Sequence, residues 1–132
     1  IIITNQSGVS RGLIKEKNLT KINYFIHEKF LENELKLLKI YYCTDHPENA
    51  TEFRKPGTGM FLQASKEHGI DLSKCLMIGD SRKDIVPAKK LGMESMLVLS
   101  GVGKIEQIKI DESCRPDYVA ENLFSGAKEL AN

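Results

Sequence analysis

Short apolar runs alternate along this chain with stretches whose apolar residues recur every three or four positions. Ile1-Ile2-Ile3 is continuous and apolar, the pattern of a strand buried on both faces and cut short at its start. Leu19, Ile22, Ile26, Phe30 and Leu31 then fall on one predicted helical stripe within residues 15–38, with a break near Asn33. Residues 39–43 read as a strand, and residues 44–58, with Pro47, Pro56 and Gly57, as irregular chain. Helical spacing returns over residues 58–68 through Met60, Phe61 and Ala64, and Gly69 is placed to cap its end. Residues 75–78 form an apolar strand ending in Gly79-Asp80. A short helix over residues 84–91 closes at Gly92, and a further strand over residues 96–99 ends in Ser100-Gly101. Residues 118–120 read as an edge strand and residues 123–130 as a terminal helix.

Strands alternating with helices in this way predict an α/β fold, a parallel sheet with helices on both faces in three layers. Ligands of such sheets sit beyond the carboxyl ends of the strands. Three polar stretches are expected at that edge: Thr4 to Gly8, Arg54-Lys55-Pro56, and Gly79-Asp80 with Asp84. No repeat, low-complexity tract or linker composition divides the chain, so residues 1–132 read as one domain.

Composition narrows the partners. The chain is 41% hydrophobic and 28% charged, ordinary for a soluble domain able to bury its own core. Its net charge of +1 gives no general pull toward nucleic acid or membrane, and neither partner is expected. No apolar run approaches the roughly 20 residues of a membrane span. Three cysteines without tight pairing read as thiols in a reducing compartment, Cys75 in the core and Cys114 in a loop, and the expected location is cytoplasmic.

The three stretches suit phosphoryl chemistry, which rests on positioning a phosphoryl group and neutralising its charge. Thr4 offers a hydroxyl, and Asn5, Gln6, Ser7 and the loop amides offer further donors. A plain turn at the strand end would use the same residues. Lys55 suits a point charge against phosphoryl oxygens, and the planar fork of Arg54 suits a second anionic or hydroxylated part of a substrate. A solvated Arg-Lys pair is the simpler reading of those two residues alone. Asp80, at a strand end, suits a ligand for Mg²⁺, which takes carboxylate, water and phosphate oxygens. Asp84 suits a supporting partner that orients Lys55 or a metal-bound water. Alternatively, Asp80 or Ser81 caps the helix that follows.

Taken with Tyr42-Cys43, His46-Pro47 and Gly59-Met60, these stretches resemble the haloacid-dehalogenase-like (HAD) phosphatases, in the branch of the histidinol-phosphate and heptose-bisphosphate phosphatases. The resemblance covers essentially the whole chain. It implies that Thr4 and Lys55 stabilise the phosphoryl group, that Arg54 recognises substrate, that Asn5, Gln6 and Ser7 line the pocket, and that Asp80 holds Mg²⁺. Members of the branch commonly carry a zinc loop with Cys-x-His, then Cys-x-Cys before Arg-Lys-Pro. Here Cys43 keeps its place, Asp45 stands at the histidine position, and no cysteine stands in Glu52-Phe53 or the residue before them, ahead of Arg54. One cysteine and the neighbouring His46 do not make a closed tetrahedral site, so no structural zinc is expected.

The family's nucleophile, an Asp-x-Asp on the first strand, has no counterpart among these residues and is expected upstream of Ile1. In the family that strand lies mid-sheet, between the strands ending at Thr4 and at Gly79-Asp80. Without it, two strand edges would stand unpaired. A complementing N-terminal segment, a swapped partner in a homo-oligomer, or a rearranged sheet would fill the gap. The functional expectation is a Mg²⁺-dependent phosphomonoesterase of a small soluble phosphate ester, foremost a sugar bisphosphate or histidinol phosphate, with this chain alone inactive. A catalytically inactive phospho-ligand-binding domain is the alternative. A polynucleotide 3′-phosphatase is less favoured, because no basic or aromatic surface supports it.

Overall fold

The computed structural model describes residues 1–132. The chain forms two compact units, Ile1–Ala64 and Ser65–Asn132, and the division falls inside a helix, where no linker composition could mark it.

The first unit holds β1 (Ile2–Asn5), α1 (Glu16–Glu32), β2 (Ile40–Cys43) and the start of α2 (Gly59–His68). β1 and β2 are parallel, in register from Ile2 opposite Ile40 to Asn5 opposite Cys43. Alternation along β2 sends Tyr41 and Cys43 into a core with Met60 and Ala64, and Ile3 packs against it. α1 stops at Asn33, as its pattern predicts, with the Asn33 N–H closing onto Phe30 and Leu31 carbonyls. Its buried side differs from the predicted stripe. Leu19 is buried, whereas Ile22 and Leu31 are exposed. At roughly 100° per residue, Leu31 is turned about 120° from Leu19, which places it on the open side.

The second unit holds β3 (Leu76–Gly79), α3 (Arg82–Lys90), β4 (Glu94–Val98), α4 (Gly103–Gln107), β5 (Tyr118–Ala120) and α5 (Leu123–Ala131). The strands are all parallel in the order β3-β4-β5. β4 is central, and its last four residues are buried, the continuous apolar pattern of a strand covered on both faces. Met96, Val98 and Ala120 form the core with Leu76 and Ile78. Ser95, fully buried on the same strand, donates through its N–H and hydroxyl to Asp117, which also pairs with Lys89 at 2.7 Å.

The α/β class and parallel strands match the sequence pattern, but the strands form two sheets. β1 has a strand neighbour on one side, β2, and β3 on one side, β4. Helix α4 went unpredicted because five residues are too few to show a helical period. The thiol expectations are reversed: Cys114 is buried, and Cys75 is more open, donating to the Asp71 carbonyl. No helix is long and apolar enough to cross a membrane.

Candidate active site

In the first unit, the carboxyl end of β1 is tied to the loop before α2. The Asn5 amide donates to the Lys55 carbonyl at 2.9 Å and accepts from the Lys55 N–H at 3.0 Å, so the side chain mimics one rung of a strand ladder. The Lys55 ammonium then reaches back to the Ile3 carbonyl at 2.7 Å. Lys55 is 8% exposed, and its charge is held at the strand end, with the peptide bond to Pro56 cis.

The Thr4 hydroxyl accepts from the Gln6 side chain at 3.1 Å, which leaves its proton to donate elsewhere. The Ser7 carbonyl takes the Arg11 N–H and the Ser10 hydroxyl, so Ser7 sits within a folded turn. Thr4, Asn5, Gln6 and Lys55 are therefore brought together. Asn5, expected to line a pocket, spends both ends of its amide on Lys55.

Arg54 lies at the end of a loop that closes on itself. Its Nη1 donates to the Asp45 carbonyl at 3.2 Å, and its N–H donates to the Thr51 carbonyl at 3.2 Å. The Asp45 carboxylate accepts from the Thr51 N–H at 2.8 Å and the Thr51 hydroxyl at 2.5 Å. Those bonds, the hydroxyl's first, hold the Asp45 carboxyl below the usual carboxylate range, helped by the Cys43 thiol and the Arg54 charge. Burial pushes the Cys43 thiol up. His46 is spent on a local cap, accepting the Glu48 N–H.

In the second unit, Asp80 follows β3. Its Oδ2 accepts the Val102 N–H at 3.1 Å, tying it to the loop after β4, and its Oδ1 takes no hydrogen bond. Gly101 makes this approach possible: its φ is +61°, and a Cβ there would fall 2.1 Å from Asp80 Oδ2. A half-anchored carboxylate with an unused oxygen at a strand end fits a hard cation such as Mg²⁺.

Ser81, not Asp80, caps α3, and Asp84 completes the capping box by accepting the Ser81 N–H. Asp84 is 6% exposed and packs so closely on Gly79 that a Cβ at Gly79 would meet its carboxylate at 2.3 Å. Glu106, which the sequence did not single out, accepts the Ser81 hydroxyl at 3.0 Å and the Arg82 N–H at 3.1 Å. Its bond to Lys109 comes first among the contacts that keep its carboxyl below the usual range. An open cavity of about 470 Å³ lies here, lined by Ser81, Arg82, Val102, Glu106 and Lys109 among others.

The model of the HAD-hydrolase-like family matches residues 52–125, more than half of the chain. The D-glycero-D-manno-heptose-1,7-bisphosphate 7-phosphatase of Thermosynechococcus vestitus is 31% identical over 96% of this chain and 71% of its own length. The chain belongs to the HAD-like hydrolases.

Among these hydrolases its relatives are of the heptose-bisphosphate phosphatase branch. The Haemophilus influenzae D-glycero-beta-D-manno-heptose-1,7-bisphosphate 7-phosphatase is 36% identical over 64% of this chain, and the match spans 50% of that relative. A solved structure of D,D-heptose 1,7-bisphosphate phosphatase from B. bronchiseptica, complexed with magnesium and phosphate, superposes with a TM-score of 0.84. The match covers 96% of this chain and 70% of that one, at 29% identity. Sequence reasoning had named Thr4, Lys55, Arg54 and Asp80 but missed the groups that hold them. Residue type alone did not reveal the Asp45–Thr51 pairing across 6 residues, the Val102–Asp80 bond across 22 or the Glu106–Ser81 bond across 25.

Proposed function

We propose that the protein, as its cells make it, is a Mg²⁺-dependent phosphomonoesterase of a sugar bisphosphate, with a heptose 1,7-bisphosphate as the first candidate. The observation that carries this is the Lys55 ammonium bound to the Ile3 carbonyl near the end of β1, in a chain of this family whose Thr4 hydroxyl accepts from Gln6 and keeps its own proton. A fixed cation and a hydroxyl donor stabilise charge gathering on phosphoryl oxygens, and a charge held beforehand need not reorganise during the reaction. Thr4 would donate to one such oxygen and Lys55 would neutralise the group. Arg54 would grip the part of the substrate that is not transferred, a second phosphate or sugar hydroxyls, through its paired N–H donors.

Asp80 would hold Mg²⁺ through Oδ1, and the ion would supply further positive charge for the phosphoryl group. The attacking carboxylate would belong to an aspartate outside these 132 residues. Its oxygen would form the bond to phosphorus as the ester oxygen departs with a proton from a second aspartate, and water would then release phosphate.

The test is phosphate release from D-glycero-D-manno-heptose 1,7-bisphosphate, with histidinol phosphate as comparison, by the natural protein in millimolar Mg²⁺. Turnover is expected with the bisphosphate and should fall at least about a hundredfold in Asp80→Asn. Normal activity of Asp80→Asn would overturn the metal assignment. Binding of the bisphosphate without any turnover would replace this reading with that of an inactive phospho-ligand-binding domain.

A further inference from the structure

Arg54 is held through its neighbours, and those neighbours are held by one carboxylate. The Arg54 main-chain N–H ends on the Thr51 carbonyl and its guanidinium on the Asp45 carbonyl, both at 3.2 Å. Asp45 and Thr51 are joined to each other by the two bonds from Thr51 to the Asp45 carboxylate. The Thr51 hydroxyl also accepts the Phe53 N–H at 3.2 Å, which carries the order on to the residue before Arg54. The loop turns back after it through Gly57 N–H to the Arg54 carbonyl at 2.7 Å and Gly59 N–H to the Glu52 carbonyl at 2.9 Å.

Both hydrogen bonds that Arg54 donates thus end on Asp45 or Thr51. An arginine whose fork must meet a substrate in one geometry gains affinity when its conformational freedom is removed beforehand. We infer that Asp45 and Thr51 are positioning residues that set Arg54 for the substrate, the hydrogen-bonded clip between them being the specificity device of this loop. The inference rests on the phosphatase reading above and deepens it: the loop chooses the ester by where it fixes Arg54, and it does so with side-chain hydrogen bonds of its own.

The experiment is a double-mutant cycle in the natural protein, with steady-state kinetics on D-glycero-D-manno-heptose 1,7-bisphosphate and Mg²⁺. Thr51→Val removes the hydroxyl while keeping the shape. It should raise KM about fivefold, the loss of roughly one hydrogen bond, and move kcat less than about twofold. Thr51→Ser restores the hydroxyl and should return KM to that of the parent. In an Arg54→Ala background, Thr51→Val should change KM by less than about twofold, because the group it positions is gone. Parental KM in Thr51→Val, or an equal rise in the Arg54→Ala background, would overturn the inference and leave the phosphatase reading intact. Absence of turnover by the parent protein would remove the phosphatase reading, and this inference with it. Should Thr51→Val fold poorly, Asp45→Ala, which removes the acceptor of both Thr51 bonds, serves in its place with the same expected rise in KM and the same loss of effect in the Arg54→Ala background.

Discussion

A lysine ammonium on a flexible four-carbon stem becomes a catalytic charge when its surroundings fix it. For Lys55, proposed above as such a charge, the fixing includes the Ile3 carbonyl, which takes the ammonium, and Asn5, which takes both main-chain groups. Asn5→Ala would leave the partly buried Lys55 N–H and carbonyl without those partners. The expected cost is about 1–3 kcal/mol, read as a lower urea midpoint at unchanged slope, with a drop in kcat as Lys55 loosens. A kcat equal to that of the parent would show that Lys55 needs no such strut. Thr4, Arg54, Lys55 and Asp80 stand out in the sequence because their chemistry is distinctive for their positions. Asn5 was legible as a residue but not in its role. An asparagine at a strand end reads as a donor to ligand, and nothing local reveals that its amide is used by a segment fifty residues on.

At the scale of elements, strand ends and helix starts share their groups. The loop after β4 supplies the Val102 N–H to Asp80, and α4 supplies the Glu106 carboxylate to the start of α3. A carboxylate at the first turn of a helix answers otherwise unpaired N–H groups and the positive end of the dipole. Gly101 is the joint on which the first of these arrangements depends. Gly101→Ala sets a Cβ against Asp80 Oδ2 and also asks alanine to hold a φ of +61°. The Mg²⁺ concentration for half-maximal turnover should rise about tenfold or more, as for other losses of groups that orient a metal ligand. An unchanged Mg²⁺ requirement would detach Gly101 from the metal site. The longer helices α1, α2, α3 and α5 were legible from spacing, with Gly69 and Gly92 marking the ends of α2 and α3. The five-residue α4 and the 3₁₀ turns were not, because their patterns are shorter than one helical repeat can reveal.

Across the whole molecule, several carboxylates are held below their ordinary range by hydrogen bonds. Asp117 is held by Lys89 first, Asp45 by Thr51, and Glu106 by Lys109. A folded-state pKa below the unfolded value, about 3.9 for Asp and 4.3 for Glu, lends stability that is fully present above that value. It is lost as pH falls through the folded pKa. Melting temperature should therefore hold level down to about pH 5 and decline below it. Asp117→Asn, which breaks the pairing with Lys89 and weakens the hold on buried Ser95, should lower the melting temperature at neutral pH and flatten the acid decline. An unaltered acid decline in that variant would assign the loss to other carboxylates. The strands are likewise a property of the whole: β1 pairs with β2 in one parallel sheet, and β3, β4 and β5 form another.

The sequence by itself determined the α/β class, the order of the main elements and the family to which the chain belongs. Those follow from periodicity, caps and residue type, all of them local properties of the chain. Tertiary structure alone decided the division into two units and two sheets, the face that α1 buries, and the partners that fix Lys55, Arg54 and Asp80. Such partners are chosen by the path of the chain. Hydrogen bonds like those from Asn5 to Lys55 or from Ser81 to Glu106 join residues that become neighbours only after folding.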